Sequence, residues 1–383
     1  MIYLLLAIAT FLLALLPAAM VFKNLQLFSR AEHGTNGQDT EKHPVSVLIP
    51  ARNEAERIEA TLNNILQSED HNFELIVLDD HSEDQTPDMV RALSANDPRL
   101  RLEQSEPLPD GWNGKQHACW QLADRATHDT LVFLDADVHV TKDFVERCRA
   151  EFARANVSLH SGFPRQHTKS LGERLLIPMM HYVLLGYLPL DQMRKSNKAS
   201  FGAGCGQLFI ADKADYLACG GHSAIKNSRH DGLKLPRAFR EAGKSTDLFD
   251  ASDIASVRMY EGFKETVNGL LKNATEGIAN SQLIFVFSIL LIGGSVAPAL
   301  GFAHALYWGW PDQNTPMLLA TILFGATTLI SFLPAFALSK HLGRPVWTTL
   351  LHPFSVTAFV LIQWLAFARE KFGLRAIAWK GRN

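Results

Sequence analysis

Two patterns of hydrophobic and polar positions alternate along the chain from Val45. Short apolar runs of strand length occur at 45–50, 73–78 and 130–134. The segments 55–67 and 114–126 have the spacing of apolar residues that is typical of helices. Because strands that alternate with helices pair in parallel through right-handed crossovers, this pattern predicts an α/β domain with a mostly parallel sheet.

Four much longer apolar stretches lie outside that region, at 2–22, 283–306, 317–338 and 346–368. Each approaches or exceeds the ~20 residues that a helix needs to cross a bilayer. A cleaved signal peptide is the alternative for the first stretch, but it would need basic residues before the apolar run, and Met1-Ile2-Tyr3 has none. We therefore expect a multi-pass protein of a bacterial-type inner or plasma membrane.

The basic residues next to these stretches indicate two membrane topologies that are incompatible with each other. Lys23 and Arg30 follow the first stretch and favour an α/β domain that faces the cytoplasm. Three further spans would then place the basic tail 369–383 outside, against the positive-inside rule. A re-entrant or surface-lying segment around His352-Pro353 would resolve the conflict, so two or three C-terminal spans remain open.

The pattern predicts five successive regions. They are an anchor at 1–22, a polar linker at 23–44, a catalytic domain at 45–280, a membrane region at 281–368 and a basic tail at 369–383. Within the catalytic domain, the apolar but interrupted segment 170–190 fits either a helix on the membrane surface or a buried core helix.

The composition and net charge limit the classes of partner that the protein is expected to bind. The 383 residues carry a net charge of −2, so no overall positive charge indicates binding to nucleic acid. The four cysteines are scattered without metal-ligand spacing, which indicates buried thiols in a reducing compartment. A glycine-rich segment, 202–206, does not have dinucleotide-binding spacing, and we expect it to allow close approach of a ligand or another chain segment.

Acidic and polar motifs follow three of the predicted strands. They are Pro50-Ala51-Arg52-Asn53-Glu54, Asp79-Asp80-His81-Ser82-Glu83-Asp84-Gln85-Thr86 and Asp135-Ala136-Asp137. The carboxyl ends of parallel strands meet at one sheet edge, where ligands bind in open α/β folds. Two acids in such a place need a counter-charge, and Mg²⁺ or Mn²⁺ with a diphosphate would supply it. The alternative is that Asp135 and Asp137 cap the helix that begins near Thr141.

In this order the motifs resemble those of the family 2 glycosyltransferases, whose catalytic domain has the GT-A fold. The resemblance covers about residues 45 to 275 through V-S-V-L-I-P-A-R-N-E, V-L-D-D-H-S-E-D-Q-T and F-L-D-A-D-V. The segments 110–115, 258–263 and 379–382 are similar to the membrane-bound branch associated with hopanoid and carotenoid glycosylation.

The resemblance implies a role for each matching side chain. The residues that would bind the nucleotide sugar are Pro50, Arg52, Asn53, Glu54, Asp79, Asp80, Lys115, Asp135 and Arg258. Asp137, with Asp135, would hold the divalent cation, and Lys115 would reach a phosphate unless it is an ordinary surface lysine.

Asp231 matches the family's general base, although His230 replaces the usual glutamate before it. An N-cap role for Asp231 is compatible with that assignment. Processive members carry Q-x-x-R-W, whereas this chain aligns Ala255, Arg258 and Met259, which favours a single transfer.

The sequence thus predicts an inverting glycosyltransferase that uses a nucleotide-diphosphate sugar, Mg²⁺ or Mn²⁺ and a lipid acceptor such as a hopanoid or carotenoid. The alternatives are a polyprenyl-phosphate glycosyl or glycosyl-phosphate transferase, another nucleotide-dependent transferase, and an inactive membrane scaffold.

Overall fold

A computed structural model describes residues 1–31, 43–68, 70–309 and 315–373. The chain forms two units. The sheet unit contains Phe28–His167 and Asp191–Met259, and the helical unit contains Met1–Leu27, Thr168–Leu190 and the described residues from Tyr260 to Gly373.

The strands of the sheet unit, in chain order, are β1 Val45–Ala51, β2 Phe73–Asp79, β3 Leu100–Gln104, β4 Thr130–Leu134, β5 His139–Val140, β6 Leu159–Phe163, β7 Arg165–Gln166, β8 Leu208–Asp212, β9 Thr246–Asp250 and β10 Ala255–Val257. The α-helices of both units are α1 Ile2–Leu27, α2 Ile58–Leu66, α3 Thr86–Ser94, α4 Gly114–Arg125, α5 Phe144–Ala155, α6 Leu171–Leu176, α7 Pro178–Tyr187, α8 Leu190–Lys195, α9 Lys213–Ala218, α10 Asp231–Glu241, α11 Gly262–Asn273, α12 Ile284–Ser295, α13 Ala297–Gly309, α14 Thr315–His341 and α15 His352–Lys371. Short 3₁₀ turns occur at Ala199–Phe201, Gly221–Ile225, Ala274–Glu276 and Val346–Leu351.

The main sheet has the strand order β3-β2-β1-β4-β8-β6-β9. β1 pairs in parallel with β2 and β4, and β2 with β3, while β8 runs antiparallel to both of its neighbours. A second sheet has the order β5-β10-β7. The predicted α/β class with a mostly parallel sheet is therefore confirmed.

β1 is apolar except for Ser46, as expected for a strand in a sheet that is covered on both faces. Val47 and Ile49 belong to one buried layer, and Leu48 belongs to the opposite layer. Full burial of such a side chain contributes about 1.5–3 kcal/mol. The continuous apolar runs of β1 and β2 follow from this arrangement.

The helical unit contains the predicted membrane segments. Among the described residues, α1, α14 and the segment Val346–Lys371 are long and apolar enough to cross a membrane. α12 and α13 reach that length only together, and they are bent by 47° at their junction. Pro298 lies in the first turn of α13, where its missing N–H is tolerated, so a break in the helix is easily accommodated there. The bend thus falls in the first C-terminal stretch and not around His352-Pro353.

Small and polar residues hold α1 in the helical unit. A Cβ on Gly294 would lie 2.8 Å from the carbonyl oxygen of Leu13, so glycine allows α1 and α12 to approach closely. Asn24 donates to the carbonyls of Leu185 and Leu188, at 2.8 and 2.7 Å, and so satisfies the end of α7.

The segment 170–190 forms two helices because Pro178 begins a new one. α7 buries Met179, Tyr182 and Leu185, as the buried-helix interpretation predicts. The domain boundaries stated above stay predictions. Residues 32–42 of the predicted linker and 374–383 of the predicted tail lie outside the described residues.

Candidate active site

The three polar motifs meet at one edge of the main sheet. Ala51 pairs with Asp79 across β1 and β2. β1 also pairs in parallel with β4, up to Leu48 with Phe133, so the carboxyl end of β4, which leads into Asp135, lies at the same edge. The predicted convergence of the strand-end motifs is therefore confirmed, whereas the ligand contacts assigned to them stay predictions.

Arg52 and Asp79 shape the loop after β2. Arg52 is 6% exposed and donates from Nη1 to the carbonyls of Asp80 and His81, at 2.6 and 3.2 Å. Asp79 is buried and accepts from the Ser82 N–H at 3.3 Å. Both side chains thus fix the Asp80-His81-Ser82 backbone on which a nucleotide site would depend.

Asn53 and Glu54 join the first loop to the second. Asn53 adopts φ 52°, a left-handed conformation that asparagine tolerates better than most residues. Its N–H donates to Ser82 Oγ at 3.0 Å, and its Oδ1 accepts from the Glu83 N–H at 2.8 Å. The Glu54 N–H donates to Thr86 Oγ1 at 2.8 Å.

A polar groove of about 350 Å³ opens beside these loops. Its lining residues are Asn53, Glu54, Ala55, Glu56, Arg57 and Asp84. Arg57 Nη1 lies 3.8 Å from Asp137 Oδ2, so this side chain connects the groove with the D-A-D motif. Sequence reasoning did not single out Arg57, which lies three residues after the Pro50–Glu54 motif; this proximity was the only signal in the sequence.

The D-A-D loop is held by α2 and by the residue before β8. Thr61 Oγ1 lies 3.2 Å from the Ala136 carbonyl and 3.1 Å from the Val138 carbonyl. The Asp135 N–H donates to the Gln207 carbonyl at 3.1 Å. α5 begins at Phe144 with Asp143 in the N-cap position, so the interpretation of Asp135 and Asp137 as its caps is wrong.

Lys115 is the centre of the site's charge network. Its Nζ lies 2.6 Å from Asp135 Oδ1 and 3.0 Å from Asp231 Oδ2, and it donates to the Gly206 carbonyl at 3.0 Å. These contacts use the three donors of an ammonium group. With 19% of its side chain exposed, Lys115 is not an ordinary surface lysine. Its predicted phosphate contact stays untested.

The start of α4 positions Lys115. The side chain of Asn113 occupies the N-cap position and accepts from the Lys115 N–H at 3.1 Å. The Asn113 N–H donates to the Lys226 carbonyl at 2.6 Å, which ties this helix start to the segment before α10. The W-N-G-K motif therefore places a lysine in the first helical turn, close to the acids.

Two glycines allow Asp231 to reach this network. Asp231 is the first residue of α10 and follows His230 in the N-cap position; its Oδ1 accepts from the Gly232 N–H at 2.8 Å. A Cβ on Gly206 would lie 2.0 Å from Asp231 Oδ1, and one on Gly232 would lie 2.7 Å from the Gly204 carbonyl. The expectation that the glycine-rich segment allows close approach is confirmed, and its partner is another chain segment.

Burial and the lysine set the acidities of the two bridged acids. Burial raises the pKa of Asp135 to about 7; Lys115 opposes this rise, and the Asp137 and Asp231 carboxylates add to it. Burial also acts to raise the pKa of Asp231, but its ion pair and hydrogen bond with Lys115 outweigh that effect and keep it below its ordinary value. The same carboxylates hold the pKa of Lys115 well above its usual range despite burial.

Asp137 is the acid that best fits a metal ion. Its side chain is 23% exposed, and Lys115 already engages Asp135. Across residues 1–31, 43–68, 70–309 and 315–373, no group of three or more His, Cys, Asp or Glu side chains is arranged to hold a metal. Mg²⁺ characteristically uses one or two carboxylates together with substrate phosphates and water, so a site completed by a diphosphate matches this donor set.

Arg258 follows β10, which pairs antiparallel with β5. Ala255 pairs with Val140 and Ser256 with His139, so β10 runs beside the strand that follows the D-A-D loop. The resemblance assigns Arg258 a role near the diphosphate. That role stays a prediction.

Comparisons with known proteins agree with this geometry. Residues 46–217 match the model of glycosyl transferase family 2. A 4,4'-diaponeurosporenoate glycosyltransferase of Staphylococcus haemolyticus is 27% identical over 299 residues, which are 77% of each protein. The Staphylococcus aureus protein of the same name is 26% identical over 348 residues, or 88% of each.

A solved structure shares the fold. The mannosyltransferase PcManGT from Pyrobaculum calidifontis, in complex with GDP-Man and Mn²⁺, matches with a TM-score of 0.56 and 20% identity over 96% of this chain and 99% of that one. The protein is therefore a glycosyltransferase whose residues 46–217 match the family 2 model. It combines a GT-A fold with apolar N- and C-terminal helices that are long enough to span a membrane.

Proposed function

We propose that this glycosyltransferase moves a sugar, with inversion, from a nucleotide-diphosphate sugar to a carotenoid-type or other membrane-lipid acceptor. The observation that carries the proposal is the network in which Lys115 joins Asp135 of the D-A-D motif to Asp231. It holds Asp231, the proposed general base, beside the carboxyl edge of the sheet, where ligands bind in open α/β folds. The names of the two staphylococcal relatives support a carotenoid-type acceptor.

The donor would occupy the groove beside Asn53 and Glu54. Asp79 and Asp80 present carboxylates next to that loop, and a carboxylate accepts well from ribose hydroxyls or a base N–H. Arg57, whose Nη1 lies 3.8 Å from Asp137 Oδ2, and Arg258, which follows β10, would supply positive charge for the diphosphate. Arg52 would contribute by fixing the loop backbone rather than by contacting the nucleotide.

Asp137 would be the principal protein ligand of Mg²⁺ or Mn²⁺, with Asp135 beside it. When bound, the cation neutralises charge that develops on the departing diphosphate. Lys115 holds Asp135 in place, so the geometry of this acidic pair is fixed before the donor arrives.

Asp231 would accept the proton of the acceptor hydroxyl. As the acceptor oxygen bonds to the anomeric carbon, the bond from that carbon to the diphosphate oxygen breaks and its electron pair leaves with the nucleoside diphosphate. Lys115 orients the Asp231 carboxylate, and Gly206 leaves room for it. General base catalysis of this kind contributes about 10²–10⁴-fold.

Transfer to lipid tests the proposal. The purified full chain in detergent would be given separate UDP- and GDP-sugars, Mg²⁺ or Mn²⁺, and a membrane lipid extract that contains hydroxylated carotenoids as well as carotenoid acids. We expect one donor to release its nucleoside diphosphate and to yield a glycosylated lipid detected by mass spectrometry. EDTA should abolish both products, as should Asp137→Asn.

Asp129→Asn is the matched control, because Asp129 is exposed at the opposite end of β4. It should leave transfer unchanged. If no donor is consumed with any lipid, or if Asp137→Asn behaves like Asp129→Asn, the proposed function is wrong.

A further inference from the structure

A small cavity in the helical unit combines two arginines with a buried histidine. It has a volume of about 30 Å³, which is room for one or two water-sized groups. Its polar lining includes Arg174, Tyr182, Arg344, Thr349, His352 and Ser355. The apolar part of the wall comes from Pro178, Met179, Ala335 and Leu338.

The arginines bring positive charge to this cavity that nearby acids do not balance. Within the part of the chain that the structure describes, neither Arg174 nor Arg344 forms an ion pair with an acidic side chain. Glu173, the neighbour of Arg174, instead accepts from Ser170 Oγ at 2.8 Å and from the Gly262 N–H at 2.7 Å. Partly buried cations without a carboxylate are costly, so the cavity favours an anion.

Several side chains that line the cavity could donate further hydrogen bonds. Arg344 Nη2 contacts His181 Nδ1 at 3.1 Å, which leaves its other guanidinium donors available. The guanidinium of Arg174 stacks over Trp347, with its Cζ 5.6 Å from the ring centroid. Arg174 Nε and His352 Nε2 are buried and have no hydrogen-bond partner among the described residues, and His352 is only 4% exposed.

The position of the cavity along the helices indicates a lipid headgroup. Leu338 and Ser339 lie in the last turn of α14, His352 and Ser355 lie in the first turn of α15, and Arg344 lies between these two helices. The ends of membrane-spanning helices lie at headgroup depth, where basic pockets bind anionic lipids.

Exposed apolar side chains surround the same helix ends. Trp347, Leu350 and Phe354 are 51%, 72% and 69% exposed. Tryptophan is enriched at the membrane interface, and the two apolar side chains offer contacts for acyl chains. A soluble anion would use the arginines but would gain nothing from this surface.

We propose that the Arg174–Arg344 cavity binds the carboxylate or phosphate of an anionic membrane lipid. The guanidinium groups and His352 would donate to its oxygens, while its chains lie along the apolar surface of the 3₁₀ turn and α15. This site is separate from the Lys115 network, and the proposal does not depend on the sugar-transfer reaction.

Lipid binding to the full-length protein tests this proposal. Native mass spectrometry in detergent would follow titration with phosphatidylglycerol, oleate and phosphatidylcholine, and separately with inorganic phosphate. We expect phosphatidylglycerol or oleate to bind at least tenfold more tightly than phosphatidylcholine. Arg344→Gln and Arg174→Gln should each remove that preference, whereas Arg344→Lys should retain part of it because the charge remains.

Lys340→Gln is the matched control, because Lys340 is exposed in the last turn of α14 and does not line the cavity. It should bind lipid like the unmodified protein. Arg174→Gln keeps the test decisive if Arg344→Gln fails to fold, since the change at Arg174 removes a stacking contact with Trp347 and no ion pair among the described residues.

Two results would overturn the proposal. One is equal binding of anionic and zwitterionic lipids, or equal losses in Lys340→Gln and the arginine variants, which would indicate general surface charge. The other is displacement of the bound lipid by inorganic phosphate at equal concentration, which would indicate a site for a soluble anion.

Discussion

The sheet unit and the helical unit solve the problem of buried charge in opposite ways. In the sheet unit, Lys115 lies between Asp135 and Asp231, so the chain itself supplies the counter-charge to its acids. In the helical unit, Arg174 and Arg344 line a cavity without an acidic partner among the described residues. The first site is electrostatically organised in the protein alone, whereas the second calls for an anion from outside the chain.

Removing Lys115 should have the largest effect on stability. In Lys115→Met, Asp135 and Asp231 would lose their shared cation, and unfolding in urea should become easier by about 3–5 kcal/mol. Lys142→Met, at an exposed position before α5, is the control and should leave the unfolding free energy unchanged. A loss below about 1 kcal/mol in Lys115→Met would show that the acids do not depend on the lysine.

Adding one methyl group at Gly206 should damage catalysis more than folding. A Cβ would lie 2.0 Å from Asp231 Oδ1, so Gly206→Ala must displace that carboxylate. We expect kcat to fall about 10²-fold, the cost of a misplacement near 1 Å. Gly204→Ala is the comparison, because its Cβ would instead meet Phe209 and Ser161, both at 2.9 Å. Equal activity losses in the two variants would indicate general disruption of the glycine-rich segment.

Glu74, which lies outside the candidate active site, tests whether hydrogen bonds within the protein stabilise the charge of a carboxylate. Burial acts to raise its pKa, but hydrogen bonds from Ser46, Thr127 and Arg101 outweigh burial and lower it from 4.5 to about 2. Because the folded-state pKa is depressed, Glu74 stabilises the fold above pH 4.5, and this contribution is lost as the pH falls toward 2. Glu74→Gln should therefore cost about 1.5–3 kcal/mol near neutral pH and less at pH 3.

Urea unfolding at both pH values measures that difference, with Glu59→Gln at an exposed position of α2 as the control. A destabilisation by Glu74→Gln that stays constant between neutral pH and pH 3 would contradict the assigned role of its charge.

Removing Arg344 should have the smallest effect on stability when anionic lipid is absent. Arg344→Gln takes away a cation that the described residues leave without an acidic partner, so the unfolding free energy in neutral detergent should change by no more than about 1 kcal/mol, or rise. Added phosphatidylglycerol should stabilise the unmodified protein but not the variant. A large destabilisation in neutral detergent would show that Arg344 is bound within the protein and would remove the contrast with Lys115.

The main sheet, and the edge at which its strand-end motifs meet, could be predicted from the sequence. Continuous apolar runs located β1 and β2 nearly to the residue, because strands buried on both faces have few polar positions. The strand-end motifs followed from parallel pairing, which brings the carboxyl ends of strands together. Asp231 required the resemblance to a family, since an acid at a helix start is common on its own.

Contacts between residues that are distant in sequence could not be predicted in this way. The sequence placed Lys115 at a helix start but did not show that Gly206 and Asp231 meet it, since that depends on how the segments before β8 and α10 fold together. Arg57 was missed because a basic residue in a polar turn is unremarkable until its distance from Asp137 is known. The arginine cavity combines α6, α7, α14 and α15, and no local pattern indicates such a combination.

Asp231→Asn tests the central claim most directly, because amide and carboxylate have nearly the same shape but only the carboxylate can accept a proton. Transfer of radiolabelled sugar to extractable lipid would be measured beside donor binding by equilibrium dialysis. We predict a fall in kcat of about 10²–10⁴-fold with donor affinity within a factor of about three of the unmodified protein. Transfer at an undiminished rate by Asp231→Asn would contradict the assignment of the Lys115-held carboxylate as the catalytic base.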